Sequence, residues 1–228
     1  MAPEPQLPLN FGMLLFPGFQ ALDVFGPLDC LNILSQSHKM NLSIISQTRG
    51  SVSTEPPEST GLNVLQSFNQ HVLATHSTDD DAPVDVLLIP GGLGLRAPEA
   101  ELAPYVEYIK KVGPRCQYII TICTGAPLLA KSGVLDGKRA TTNKAAWRFT
   151  AWGPKTDWIA RARWVQDGNI WTAAGVSAGI DVTLAWIGTV YGEETATAVS
   201  NRMEYRRATD STDDPFSALH DCQDVPAQ

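Results

Sequence analysis

Short apolar runs, each closed by a turn signal, recur along this chain at residues 11–16, 42–46, 84–89 and 118–122. Runs of this length bounded by turns read as strands buried on both faces, because a buried helix needs more residues to span a core. Helical stretches lie between and after them, at 28–34, 99–112 and 124–132. Strands that alternate with helices make a mostly parallel sheet, since each parallel connection has to cross over a face and leaves a helix there. The expected fold class is a doubly wound α/β domain with helices on both faces. Two segments interrupt the alternation. Residues 50–69 carry two prolines and β-prone fragments and read as an antiparallel hairpin excursion; residues 162–173, where Trp164-Val165 and Ile170-Trp171 flank Asp167-Gly168-Asn169, read as a second. Helical runs at 178–191 and 193–205 close the domain. The chain then turns polar, acidic and proline-punctuated, so 209–228 is expected to be a partly ordered tail. The division is an N-terminal extension at 1–9, an α/β domain at 10–206 and a polar tail at 207–228.

Charge and cysteine usage narrow the partners. Hydrophobic residues make up 43% and charged residues 18% of the 228, enough apolar material for a sizeable core. A net charge of -7 with no dense Lys/Arg run argues against nucleic acid and anionic membranes, leaving small molecules or protein partners. No run approaches the roughly 18 apolar residues of a membrane span. Residues 1–10 show neither the basic region nor the apolar stretch of a signal peptide, so a cytoplasmic location is expected. Cys30, Cys116, Cys123 and Cys222 are scattered without a CxxC pair, which suits reduced thiols rather than a disulfide framework or a zinc site. His38, His71, His76 and His220 lack helical ligand spacing, and no metal is expected.

Three segments carry the candidate chemistry. Residues 118–126, Tyr-Ile-Ile-Thr-Ile-Cys-Thr-Gly-Ala, run from a strand directly into a helix, which puts Cys123 on a tight turn above the carboxyl edge of the sheet. There a helix N-terminus favours a thiolate and so a nucleophile; the alternative is a cysteine buried as a small apolar residue. Pro90-Gly91-Gly92 follows another strand and can bring bare N–H groups to a ligand as an oxyanion site does, or be a plain tight loop. Asp23 lies among apolar residues just before Pro27, a favoured first residue of a helix. It is either a helix-start residue or a carboxyl whose pKa is raised by burial. A cysteine and a carboxyl meeting at one sheet edge would make a nucleophile and proton-transfer pair.

Taken together, FPGFQALDVFGPLD, DVLLIPGG, ICTGAPLLAKSGVLDGKRATT and GVSAGIDVTLAWI resemble the ThiJ/PfpI superfamily over about residues 10–205. The resemblance implies a flavodoxin-like fold, a homodimer, and a cysteine at the elbow with an acid beside it. Within the superfamily the chain looks like the isocyanide hydratase branch, which has Cys-Thr-Gly at the elbow, matched by Cys123, Thr124 and Gly125, and an aspartate in an L-D-x-x-G-P context, matched by Asp23. That branch implies hydration of an isocyanide to an N-substituted formamide with no cofactor. Cys123, Asp23 and Thr124 would be catalytic, and Gly91, Gly92 and Gly125 would bind substrate or oxyanion. Glyoxalase or deglycase chemistry on α-oxoaldehydes, tailoring of a secondary metabolite, and a non-catalytic redox-sensing homodimer are the alternatives. One departure stands out: hydratase-like members often read ATTHW after the elbow helix, and this chain reads Ala140-Thr141-Thr142-Asn143-Lys144. The three tryptophans of residues 147–158 are expected to pack in the core or a dimer interface rather than to line a substrate box.

Overall fold

The computed structural model describes residues 7–62 and 68–228. A seven-stranded sheet runs through it in the spatial order β10-β11-β7-β6-β1-β2-β5, formed by β1 (Asn10–Leu14), β2 (Asn41–Ser46), β5 (His76–Ser77), β6 (Val86–Ile89), β7 (Tyr118–Thr121), β10 (Trp164–Asp167) and β11 (Ile170–Ala173). Every pairing in it is parallel except β10 with β11, and β8 (Arg139–Ala140) pairs with β9 (Asp157–Trp158) outside it. All four residues of β6 are buried, as a strand covered on both faces must be. Helices α1 (Ala21–Leu34), α4 (Ala178–Tyr191) and α5 (Glu193–Arg202) pack with one another, and α2 (Glu99–Val112) packs with α3 (Gly125–Lys131). The doubly wound α/β expectation holds. On the α4 side Trp186 is fully buried, meeting Phe11, Tyr118 and Tyr191 edge-on.

The chain reverses its direction across the sheet at β1, which has β2 on one side and β6 on the other. At such a switch the loops leaving neighbouring carboxyl ends diverge and open a crevice. The segments after β1, β6 and β7 all end there, which is why three stretches far apart in sequence can share one site.

Four expectations change. Helix α1 starts at Ala21, a full turn and more before residue 28, and contains Pro27 instead of beginning at it. The ring costs the bond that would reach back to the Asp23 carbonyl, but the apolar residues on either side keep the helix buried. The first hairpin is real, but its return strand lies later: β3 (Gly50–Ser53) pairs antiparallel with β4 (His71–Ala74), and residues 63–67 of the expected hairpin lie outside the described residues. The second hairpin turns at Gly168-Asn169 as its sequence implies, yet it is no excursion, because β11 pairs with β7 and extends the main sheet.

The fourth change is the most consequential. Residues 207–228, expected to be a partly ordered tail, are tied to the domain by hydrogen bonds at several points. Ala208 N–H donates to Asp181 at 2.8 Å and Arg163 N–H to the Ser211 carbonyl at 2.8 Å. Trp158 and Val225 exchange both backbone bonds, and Trp147 Nε1 donates to the Gln223 carbonyl at 3.0 Å. Acidic composition misleads here because the key aspartate is buried: Asp214 pairs with Lys144 at 3.0 Å, each side chain 1% exposed. The Lys144 ammonium also donates to Thr141 Oγ1, the Thr142 carbonyl and the Ala162 carbonyl. Burial still pulls its pKa down, so it needs these partners to stay charged. Asp214→Asn is expected to lower stability by about 3 kcal/mol or more, because it strands that cation in the interior, and urea unfolding of the variant measures it. The tryptophans of residues 147–158 serve packing: Trp158 is fully buried, Trp152 lies under the Lys131 ammonium, and Trp147 holds the C-terminal segment.

Candidate active site

Cys123 occupies the junction between β7 and α3 with φ +56°, a left-handed conformation that side-chain-bearing residues adopt at a cost of roughly 1–3 kcal/mol. The turn is held from both ends: Cys123 N–H donates to the Ala174 carbonyl at 2.9 Å, and its carbonyl accepts from Thr142 Oγ1 at 2.8 Å. The sulfur accepts from Asn143 Nδ2 at 3.2 Å, and the backbone N–H groups of Thr124 and Val176 also stabilise it. Asn143 is oriented for this, since its Oδ1 accepts the Ala146 N–H and turns the amide nitrogen to the sulfur.

Asp23, in the first turn of α1, is fully buried beside Cys123. Its Oδ2 accepts the Gly91 N–H at 2.8 Å, while Oδ1 has no partner of acceptable hydrogen-bond geometry. Burial raises its pKa from 3.8 to about 7, with the Gly91 N–H and the Cys123 thiol pulling the other way. Asp23 therefore exchanges its proton near neutrality. The Cys123 thiol is pushed up to about 12 by burial first and by the Asp23 charge second, against the Asn143, Thr124 and Val176 donors. Burial thus works against the thiolate that a helix N-terminus would favour. Helix α3 has only 7 residues, too short for a strong terminal field, and the enclosure outweighs it.

The three glycines hold the frame. Gly91 N–H is taken by Asp23, Gly92 N–H donates to Thr124 Oγ1 at 3.1 Å, and Gly125 N–H bonds the Ile122 carbonyl at 2.9 Å, so none is free for an oxyanion. They are glycines for closeness: a Cβ on Gly91 would lie 2.5 Å from Thr124 N, and one on Gly125 would lie 2.2 Å from the Ile89 carbonyl oxygen. Thr124, named from the sequence, lies at the elbow with its hydroxyl tied to Gly92. Asn143 and Val176 are the groups that sequence reasoning did not give a role. The ATTN departure pointed at the first; no side-chain signal could reveal a backbone N–H at position 176. Among the described residues no group of three His, Cys, Asp or Glu side chains is placed to hold a metal ion. If the Asn143 amide stabilises the thiolate, Asn143→Ala should slow iodoacetamide alkylation of Cys123 by about tenfold, the scale of one hydrogen bond to a charged group. Mass spectrometry of the elbow peptide over time measures it.

These features define a class. The model of the DJ-1/PfpI family matches residues 12–188, and the chain belongs to that family. It is 34% identical over 204 residues to the isonitrile hydratase of Pseudomonas putida, covering 88% of this chain and 80% of that protein. It is also 23% identical to the transcriptional regulator GbdR of Pseudomonas aeruginosa, covering 92% of this chain but only 54% of the regulator. Among solved structures it superimposes on a ThiJ/PfpI family protein from Pseudomonas syringae with a TM-score of 0.70 at 21% identity, covering 93% of this chain and 85% of that one. The Drosophila melanogaster DJ-1beta structure gives 0.67 at 18% identity, covering 87% and 98%. At these identities the structures share the fold.

Proposed function

We propose that this protein is a cysteine-dependent hydratase of isocyanides. The observation that carries the reading is the burial of the Cys123 thiol beside the Asp23 carboxyl, where burial raises the pKa of both. The terminal carbon of an isocyanide accepts a nucleophile and a proton on the same atom, so the two groups must be neighbours, as Cys123 and Asp23 are. The similarity to an isonitrile hydratase over 88% of the chain supports the same chemistry.

In the proposed sequence the S–H bond breaks as the sulfur pair forms the S–C bond. Asp23 carboxylate takes the thiol proton and delivers it to the same carbon, giving a thioimidate, R–N=CH–S–Cys123. Water adds to the C=N bond while nitrogen takes a proton. Collapse of the adduct breaks the C–S bond, the sulfur recovers its proton, and an N-substituted formamide leaves. The N–H groups of Thr124 and Val176 and the Asn143 amide stabilise sulfur as charge develops on it. The covalent step is supplied by sulfur and calls for no cofactor.

Turnover of methyl, cyclohexyl and benzyl isocyanide and of methylglyoxal, followed as formamide and lactate, tests the reading. Formamide production by wild type and not by Cys123→Ala supports it; lactate alone refutes it. The assembly proposed is a homodimer through α1, which exposes Leu22 and Phe25 on one side. Light scattering at micromolar concentration is expected to give twice the chain mass.

A further inference from the structure

A cavity of about 280 Å³ is bordered by Asn143, the residue whose amide bonds the Cys123 sulfur. Val176 also lines it, together with Phe216 and His220. The last two come from the C-terminal segment, Phe216 from α6 (Phe216–Leu219) and His220 from the residue that ends it. Phe216 is 47% exposed, so no core packing accounts for an aromatic ring there. The segment is nonetheless held firmly. Asp214 Oδ1 accepts the Phe216 N–H at 2.9 Å, while Asp214 Oδ2 pairs with the buried Lys144 ammonium, one residue from Asn143. One carboxylate therefore contacts both the backbone of Phe216 and the lysine that follows Asn143. Beyond the end of α6, Cys222 Sγ donates to the Lys144 carbonyl at 3.5 Å.

The lining also says what it would exclude. Lys144 borders the cavity, but its ammonium is spent on Asp214, Thr141 Oγ1 and two carbonyls, so it offers no free charge to a carboxylate or phosphate. The volume lies near the lower end of the roughly 300–1,000 Å³ typical of small-molecule sites, suited to one ring-sized group. We propose that the C-terminal segment is the specificity wall of the site, with Phe216 and His220 packing on a neutral, ring-sized substituent of the substrate. The inference rests on the reading of Cys123 as the nucleophile for isocyanides, and names the organic arm such a substrate would carry.

The test is a ratio, kcat/KM for benzyl isocyanide over that for methyl isocyanide, in wild type, Phe216→Ala, Phe216→Trp and His220→Ala. Loss of ring contact in Phe216→Ala and loss of space in Phe216→Trp are each expected to lower the ratio by about tenfold or more, the scale of a small change in an apolar pocket. A ratio within twofold of wild type in both Phe216 variants overturns the proposal. If wild type turns over neither isocyanide, the functional reading fails, and the wall is tested on the thiol itself: Cys123 is alkylated with N-benzyl iodoacetamide and with iodoacetamide, and the rate ratio is compared across the same variants. A tenfold change in that ratio supports the wall, and an unchanged ratio overturns it. Phe216 is half exposed, so both variants should fold, and their urea midpoints are measured alongside.

Discussion

Cys123→Ser is expected to lose turnover by about 10⁴-fold or more, the scale on which removal of a covalent nucleophile is felt. The substitution is nearly isosteric, and serine meets the same φ of +56° that cysteine already bears, so the elbow and its bonds to Ala174 and Thr142 should survive. What changes is acidity. Enclosure already pushes the thiol up to about 12, and a hydroxyl in the same place starts far higher, out of reach of a carboxylate that holds its proton near 7. The variant is assayed with whichever isocyanide wild type turns over, with thermal unfolding as the folding control. Retention of more than a tenth of wild-type activity would remove the covalent step, leaving water to be activated directly.

Much of this frame is visible in the amino-acid string because it is built from short-range rules. Apolar runs such as Val86–Ile89 have to be strands, and the glycines after them permit the close approach seen between Gly91 and Thr124. The elbow at Cys123 follows from a strand running into a helix without a linker. Its protonation state could not be read the same way. Local position suggests a thiolate, whereas the outcome depends on how completely the loops at 90–92, 141–146 and 174–177 enclose the sulfur, which is a property of packing between distant segments. The C-terminal segment shows the same limit. Residues 209–228 have the composition of a partly ordered tail, yet Asp214 finds Lys144 across 70 residues, a pairing no composition window detects. Conversely, Lys144 follows Asn143 in the chain, and the structure gives both a role at once: one faces the sulfur, the other anchors the segment that walls the cavity.

Asp23→Asn is expected to lower turnover by about 10²–10⁴-fold, the range of general acid–base catalysis, while making the cysteine more reactive toward iodoacetamide. The two readouts move in opposite directions for a physical reason. An amide keeps an oxygen for the Gly91 N–H, so the turn at 90–92 need not move. It removes the charge that raises the Cys123 pKa, so the thiolate becomes easier to form, but it cannot carry a proton to the substrate carbon. A residue that merely supported the first turn of α1 would leave turnover nearly unchanged, although loss of its charge would still free the thiol, so turnover is the readout that decides. In wild type kcat/KM should rise with pH through about 7, as the carboxyl that receives the thiol proton ionises, and that step should vanish in the variant. Stability supplies an independent check. The folded-state pKa is raised above 3.8, so folded protein holds a proton that the unfolded chain has released between about 4 and about 7. This contribution to stability is complete below pH 4 and is lost as pH rises through 7; urea midpoints of wild type should therefore fall relative to Asp23→Asn across that window. Parallel midpoints from pH 5 to 8 would show that Asp23 ionises as freely in the fold as in water, and with that its part in moving the proton would go.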